Sequence, residues 1–445
     1  MKSNTRSTNV EQQMLAKMDP VEQWDTVRQA LPGDLEELAR ESKALVRGRK
    51  IKTTESLLRL VLAYAVCDWS LRLVGAWATL QSIAAVSDVA LLYRFCRCPA
   101  WLGQLLVRIL QQRNAYLSQL AGVRLRLIDT SGISQPGSQG SDWRIHLSLD
   151  LGKMCIDGVE VTDGHSKESL ARFPSRAEEI WVADRGFAFA NPLGVVLQAA
   201  AYLVVRIGWN ALSLTGADHK RLKLIDWIQP LTQTTERSVW LSTAQGTFPL
   251  RLIACPLPPE QAEQARERLR KRARKKGKTV QSQSLLAAGF VLLITNLPAP
   301  LWSASRVVYL YRLRWQIELQ FKRMKSLLCF DQLRAQDPRL VQTYLLAKLL
   351  AALLLDRLVQ QAEEQHPQLF SSLQRPVSLW RLQQLLWLGI RDWIVGPFPL
   401  DRILTLLSHL SRCLRDTPRA RLQQLAWARR FLARLSVDLP RGALF

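Results

Sequence analysis

The constraint that most narrows the fold is a change of hydrophobic period at about residue 122. Upstream, stretches such as residues 56–67 and 101–112 place apolar side chains three and four apart, the spacing of amphipathic helices. Downstream, residues 123–128 alternate apolar and basic residues and run into Asp129-Thr130-Ser131-Gly132, a strand feeding a turn. Residues 143–151 and 154–161 read as two further strands of an antiparallel meander. Residues 179–183 form a short buried strand ending at Asp184, residues 191–200 a helix, and residues 202–207 another buried strand. This order predicts an α/β fold, a mixed sheet carrying helices on its faces.

The pattern breaks between residues 208 and 288. A hairpin is expected around Gln245-Gly246, and after Pro258-Pro259 a polar helix holds nine basic residues between Arg266 and Lys278. Such a run is either a solvated helix or a surface for phosphates, with Arg270, Arg274 and Lys275 as its candidate contacts. Residues 290–295 are a further strand and residues 303–328 one long helix; beyond Pro338 the chain reads as helical to its end. The expected organisation is a helical DNA-binding region over 1–120 and a sheet core over 121–208. A β-rich insertion over 209–289, a second core segment over 290–335 and a helical region over 336–445 follow. Within the first region, residues 82–110 suggest two helices hinged near Cys98-Pro99, compatible with a helix-turn-helix or with two packed bundle helices.

Lys and Arg number 61 against 37 Asp and Glu, a net charge of +24. A chain this basic favours a polyanion, since DNA releases condensed counterions when its phosphates are neutralised. No amphipathic anchor with a basic polar face stands out. The longest apolar stretch, residues 344–355, is too short to span a bilayer and carries Lys348. The seven cysteines are odd in number and irregularly spaced, which fits a reducing cytoplasm rather than a disulfide framework. Cys96-Arg97-Cys98 lacks a second Cys/His pair at zinc-finger spacing and is expected to be structural. His146 and His165 are read as structural or DNA-contacting, because hard cations do not favour imidazole.

The chemistry-bearing residues gather on the helix expected after Ser303. At 100° per residue, Tyr311, Arg314, Glu318 and Lys325 fall within about 60° of one another, with Trp315 beside them and the apolar packing stripe elsewhere. Alone, Arg314 and Glu318 read equally as a solvated i,i+4 ion pair. Asp129 and Asp184, each at the end of a predicted strand, give Glu318 partners. Three such oxygen donors in a basic chain suit divalent metals, and two ions about 4 Å apart catalyse in-line displacement at phosphorus.

Tyr311-x2-Arg314-x3-Glu318-x6-Lys325 resembles the Tyr-Arg-Glu-Lys signature of the IS4-type bacterial insertion-sequence transposases. Asp184-Arg185-Gly186-Phe187 is similar to that family's second-aspartate motif, and Asp129 matches its first. The resemblance covers residues 120 to 335 and implies a ribonuclease-H-like core interrupted by the β-rich insertion. It further implies that Asp129, Asp184 and Glu318 hold two Mg²⁺ ions, with Mn²⁺ able to substitute. Tyr311, Arg314 and Lys325 would grip phosphates, and Trp315 would meet DNA near the cleavage site, where a flipped base could stack. The implied activity is binding of terminal inverted repeats, cleavage at element ends and joining to target DNA. The expected state is a homodimer on paired ends, cytoplasmic and nucleoid-associated when DNA-bound, with no membrane partner. Two alternatives share these residues: a nuclease of the same fold without strand transfer, and an inactive DNA-binding repressor.

Overall fold

The computed structural model describes residues 27–28, 30–119, 123–370 and 377–396. The described chain forms two compact units, one holding residues 34–101 and 391–396, the other chiefly residues 102–390. In the first unit, α1 (Leu35–Glu41), α2 (Thr54–Val66), α3 (Leu71–Leu80) and α4 (Asp88–Phe95) are short helices. Side chains of Thr53, Ser70 and Ser87 cap the N-termini of α2, α3 and α4 by accepting backbone N–H bonds, which places each start. The chain turns at Cys96–Cys98 into α5 (Pro99–Gln119), the hinge expected from sequence. Cys98 is buried with its Sγ on the Arg94 carbonyl, a structural placement.

The second unit is built on one nine-stranded sheet ordered β3-β2-β1-β4-β5-β9-β8-β7-β6. Strands β1 (Leu125–Ile133), β2 (Trp143–Asp150) and β3 (Cys155–Asp163) are the expected meander. β4 (Ile180–Ala183) and β5 (Tyr202–Arg206) lie parallel to β1 in sequence order, with α6 (Ala190–Gln198) as the crossover between them. Both are short and apolar because helices cover the two faces, leaving no polar side to alternate.

β6 (Leu214–Thr215) and α7 (Leu224–Ile228) open the insertion, and the hairpin is β7 (Thr235–Thr243) with β8 (Gly246–Pro256). Gly246, at φ 130°, occupies the left-handed side of the turn. α8 (Pro259–Lys275) and α9 (Ser282–Ala287) lead to β9 (Phe290–Thr295). β9 pairs with both β5 and β8, so the insertion lengthens the core sheet. One apolar cluster accordingly runs from Ile128, Trp181 and Val205 past α6 to Val239, Leu252 and Ile294.

The helix expected over 303–328 is two helices. α10 (Ala304–Arg312) and α11 (Trp315–Leu328) are separated by a tight turn at Leu313-Arg314. There Leu313, Arg314, Gln316 and Ile317 donate to carbonyls three residues back instead of four, so the single-helix phase does not carry through. α12 (Pro338–Gln365), α13 (Pro367–Phe370) and α14 (Leu379–Val395) follow. By length and composition α12 could cross a membrane, yet 78% of its apolar window is buried inside the protein. Residues 1–26 and 397–445, to which the helical readings of both ends extended, lie outside the described residues.

The basic alternation at the start of β1 is buried, not exposed. Arg124 donates to Asp150 at 2.9 Å, Asp157 at 2.6 Å and Glu179 at 2.9 Å. Arg126 meets Asp157 at 2.9 Å and Glu179 at 3.3 Å, and its guanidinium lies 4.4 Å from the Trp181 ring centre. Removing one member strands the charges of the others in a low-dielectric site. Arg126→Ala should therefore lower unfolding free energy by about 3–5 kcal/mol, measured by urea denaturation.

Candidate active site

Strand register explains how two aspartates 55 residues apart come together. β1 and β4 pair in parallel, with Leu127 opposite Val182 and Ile128 opposite Ala183. Asp129 and Asp184 are the next residues on each chain and share one level. Alternation turns both away from the α6 core, since Ile128 and Ala183 belong to it, and toward the face where α10 and α11 pack on β4 and β1. The expectation that β1 ends at Asp129 is corrected. β1 continues to Ile133, held by β2 through Ile133 opposite Trp143. What ends at Ile128 is the parallel ladder. Asp184 stands in extended backbone just ahead of a 3₁₀ turn over Arg185–Phe187, with no side-chain cap bond to it.

The helix pair supplies the rest. Tyr311, at the end of α10, donates its hydroxyl to Asp184 Oδ1 at 2.9 Å. Arg314, in the turn, reaches Asp129 Oδ2 at 3.7 Å through Nη1 and Glu318 Oε1 at 2.5 Å through Nη2. The break thus aims Arg314 between carboxylates on two different elements. Lys348 Nζ, fully buried, donates to the Cys329 carbonyl at 3.0 Å, tying the end of the Glu318 helix to α12.

The electrostatics are asymmetric. Burial raises the Asp129 carboxyl to about 6; the Thr130 N–H and Arg314 oppose this, and the Glu318 and Asp184 charges add to it. Burial also pushes on Asp184, but the Arg185 N–H, Arg314 and the Tyr311 hydroxyl outweigh it and hold that carboxyl below its ordinary value. Burial, together with Asp184, lifts Tyr311 to about 12, so it stays a donor. Despite burial, Arg314 is held firmly protonated by Tyr311, Glu318 and Asp184.

The donor set is all carboxylate oxygen, which suits hard divalent cations. Among the described residues no three His, Cys, Asp or Glu side chains close around one ion position; the Arg314 guanidinium spans Asp129 and Glu318 instead. The Arg314 cation is therefore what these oxygens meet here.

Trp315 is half-exposed at the start of α11, with Lys322 Nζ 4.6 Å from its ring centre. Lys325 is half-buried on the same helix. Arg270 is engaged by Glu263 at 2.7 Å, while Arg274 and Lys275 are exposed at the end of α8. These three stand on the insertion helix, which the structure does not bring to the carboxylates through any hydrogen bond or ion pair. His146 is buried, bonded to Thr130 Oγ1 at 2.9 Å and Thr162 Oγ1 at 3.0 Å, and serves the meander; His165 is exposed. Sequence reasoning missed Glu168, which faces Gly186 of the Asp184 turn. Its only sequence signal was the glycine itself.

Stability should report Asp129 directly. Its folded-state value lies above the ordinary 3.8, so between about pH 4 and pH 6 the folded chain holds a proton that the unfolded chain has lost. Stability attributable to this group therefore falls as pH rises through about 6, and Asp129→Asn should remove that slope in denaturant titrations across this range.

The chain matches the family model "Transposase DDE domain" over residues 125–354. It is 41% identical over 338 residues to InsL, assigned as transposase of insertion sequence element IS186A in Escherichia coli (strain K12), covering 74% of this chain and 91% of InsL. The transposase of IS421 from Escherichia coli is likewise 41% identical, over 339 residues, with the same coverage. The transposase of IS231F from Bacillus thuringiensis subsp. israelensis is 25% identical over 376 residues, covering 74% of this chain and 77% of that protein. Among solved structures, a piggyBac transposase synaptic complex with hairpin DNA aligns over 91% of this chain and 87% of its own, at TM-score 0.43 and 11% identity.

Proposed function

Because the chain belongs to the DDE transposase family of insertion sequences, we propose that Asp129, Asp184 and Glu318 are the carboxylates at which it cuts the ends of its element and joins them to target DNA. The protein is a DNA transposase, an enzyme that acts on DNA and depends on divalent metal. The observation that carries the assignment is the parallel register that levels Asp129 with Asp184, together with the Arg314 guanidinium bridging Asp129 to Glu318.

Asp129, Asp184 and Glu318 would hold two Mg²⁺ ions, replaceable by Mn²⁺, and the metal would supply activation of the attacking oxygen and stabilisation of the leaving one. The chain's own groups do the positioning. Tyr311 fixes Asp184 by its hydrogen bond and Arg314 offers a rigid fork to a phosphate once the carboxylates take up metal. Lys325 adds a second cation on α11, and Trp315 offers an exposed ring on which a displaced base can stack. Exposed Arg274 and Lys275, with Arg270, extend a basic track along α8 for the backbone of the same duplex.

The first unit supports recognition of the ends. Helix α4 exposes Val89 and Tyr93, at 55% and 70%, beside a cavity of about 360 Å³ lined by Arg49, Lys50, Arg94 and Arg97. A small apolar and aromatic stripe flanked by cations fits a major groove, where side chains meet base edges while basic residues hold phosphates. Two copies acting on paired ends, in the bacterial cytoplasm and on the nucleoid, complete the reading.

Glu318→Ala, Asp184→Asn and Asp129→Asn should each cut Mg²⁺-dependent end cleavage by on the order of 10³-fold or more while leaving end binding intact. The assay is cleavage of duplex carrying the sequence that flanks the gene, with joined products scored on a plasmid target. Retained cleavage in Glu318→Ala would overturn the assignment, and cleavage without joining would favour a nuclease.

The two binding surfaces should separate in the same material. Arg274→Ala/Lys275→Ala should flatten the slope of log affinity against log salt by about two for any duplex. Tyr93→Ala/Arg97→Ala should instead change which duplexes are selected from a random pool.

A further inference from the structure

The turn that carries Asp184 passes against a fourth carboxylate. A Cβ added at Gly186 would fall 1.5 Å from Glu168 Oε2 and 2.7 Å from its Cδ. The Glu168 carboxylate therefore lies directly against Gly186 and would have to swing aside for any side chain there; the glycine's own backbone is ordinary, with no left-handed φ.

Glu168 is held in place from both sides. On one, the Ser166 N–H donates to Asp163 Oδ1 at 2.9 Å, closing the end of β3. On the other, Ser169 caps the 3₁₀ turn Leu170–Arg172, and Leu170 is fully buried in the apolar cluster with α6. Arg172 adds a bond to the Lys167 carbonyl at 2.7 Å. Between these anchors the Glu168 carboxylate is half-buried and takes no hydrogen bond or ion pair from any described residue. Burial raises its carboxyl, Arg144 opposes that, and the Asp184 charge adds to it, so the two carboxylates feel each other. A half-buried, unpaired carboxylate beside another costs stability and calls for a compensating role.

We propose that Glu168 is a positioning residue of the transposase site, bracing the Asp184–Phe187 turn through Gly186 and adding its charge to the field that draws divalent metal to Asp184. It acts through Asp184 and touches neither DNA nor the reacting atoms. This rests on Asp184 being a metal ligand, as proposed above.

The test is Mn²⁺ binding to the full-length, DNA-free protein, followed by electron paramagnetic resonance, with thermal unfolding in parallel. Glu168→Gln keeps the volume and removes the charge. It should weaken Mn²⁺ binding about three- to ten-fold with an unfolding temperature no lower than that of the wild type, and Glu168→Asp should restore most of the affinity. Gly186→Ala, which makes the Glu168 carboxylate swing aside, should weaken Mn²⁺ binding to a similar extent. Wild-type Mn²⁺ affinity in Glu168→Gln would overturn the proposal, as would wild-type affinity in Gly186→Ala. Asp184→Asn separates the two readings: if it leaves Mn²⁺ binding unchanged, the site assignment itself fails. If it abolishes binding while Glu168→Gln does not weaken it, only the role of Glu168 fails.

Discussion

The parallel pairing of β1 with β4 is the constraint on which the rest of the second unit depends. Its last rung, Ile128 opposite Ala183, fixes the level and the face of both Asp129 and Asp184. A slip of one residue would turn one aspartate into the α6 core and the other away from it. The register is secured at its far end by Arg124 and Arg126, whose buried ion pairs with Asp150, Asp157 and Glu179 admit one alignment of β1, β2, β3 and β4. A charged cluster at one end of the ladder thus sets the geometry of the carboxylates at the other.

The second decisive feature is the break between α10 and α11. A continuous helix would keep Tyr311 and Glu318 on one stripe but leave Arg314 as an ordinary i,i+4 partner. The tight turn lets Tyr311 close on Asp184 while Arg314 reaches both Asp129 and Glu318. One guanidinium then neutralises carboxylates contributed by a strand and a helix. The same contacts explain why Asp129 and Asp184 titrate in opposite senses although they are neighbours. Both receive an N–H and the Arg314 cation; at Asp184 the Tyr311 hydroxyl joins them and together they outweigh burial, whereas at Asp129 burial, with the Glu318 and Asp184 charges, prevails.

The insertion shows how a long interruption can be absorbed without a separate core. β9 is shared between β5 and β8, so the hairpin's hydrophobic face continues the one already covered by α6. Arg251 of β8 secures the return to the Glu318 helices by donating to the Leu297 and Trp302 carbonyls at 2.8 Å. The basic helix α8 is left on the outside with Arg274 and Lys275 in solvent, where a polyanion can reach them.

Much was legible in the sequence because it is local. Periodicity located the meander, the buried parallel strands, the Gln245-Gly246 hairpin and β9, and the spacing of Tyr311, Arg314, Glu318 and Lys325 identified the family. Sequence also pointed to Asp129 and Asp184, since an Asp following a buried apolar run stands where a sheet presents its chemistry. What it misjudged are matters of long-range contact. The alternation showed Arg124 and Arg126 but not their partners, acids from three other segments that bury them. The Leu313-Arg314 turn has no Gly or Pro to announce it and exists because Tyr311 and Arg314 have partners on β4 and β1. Glu168 was invisible because its meaning lies in Gly186, 18 positions away, which no local pattern connects. Sequence by itself determined most of the elements and nominated the carboxylates; tertiary structure alone decided which of them meet, because register and helix breaks are fixed by contacts between segments distant in the chain.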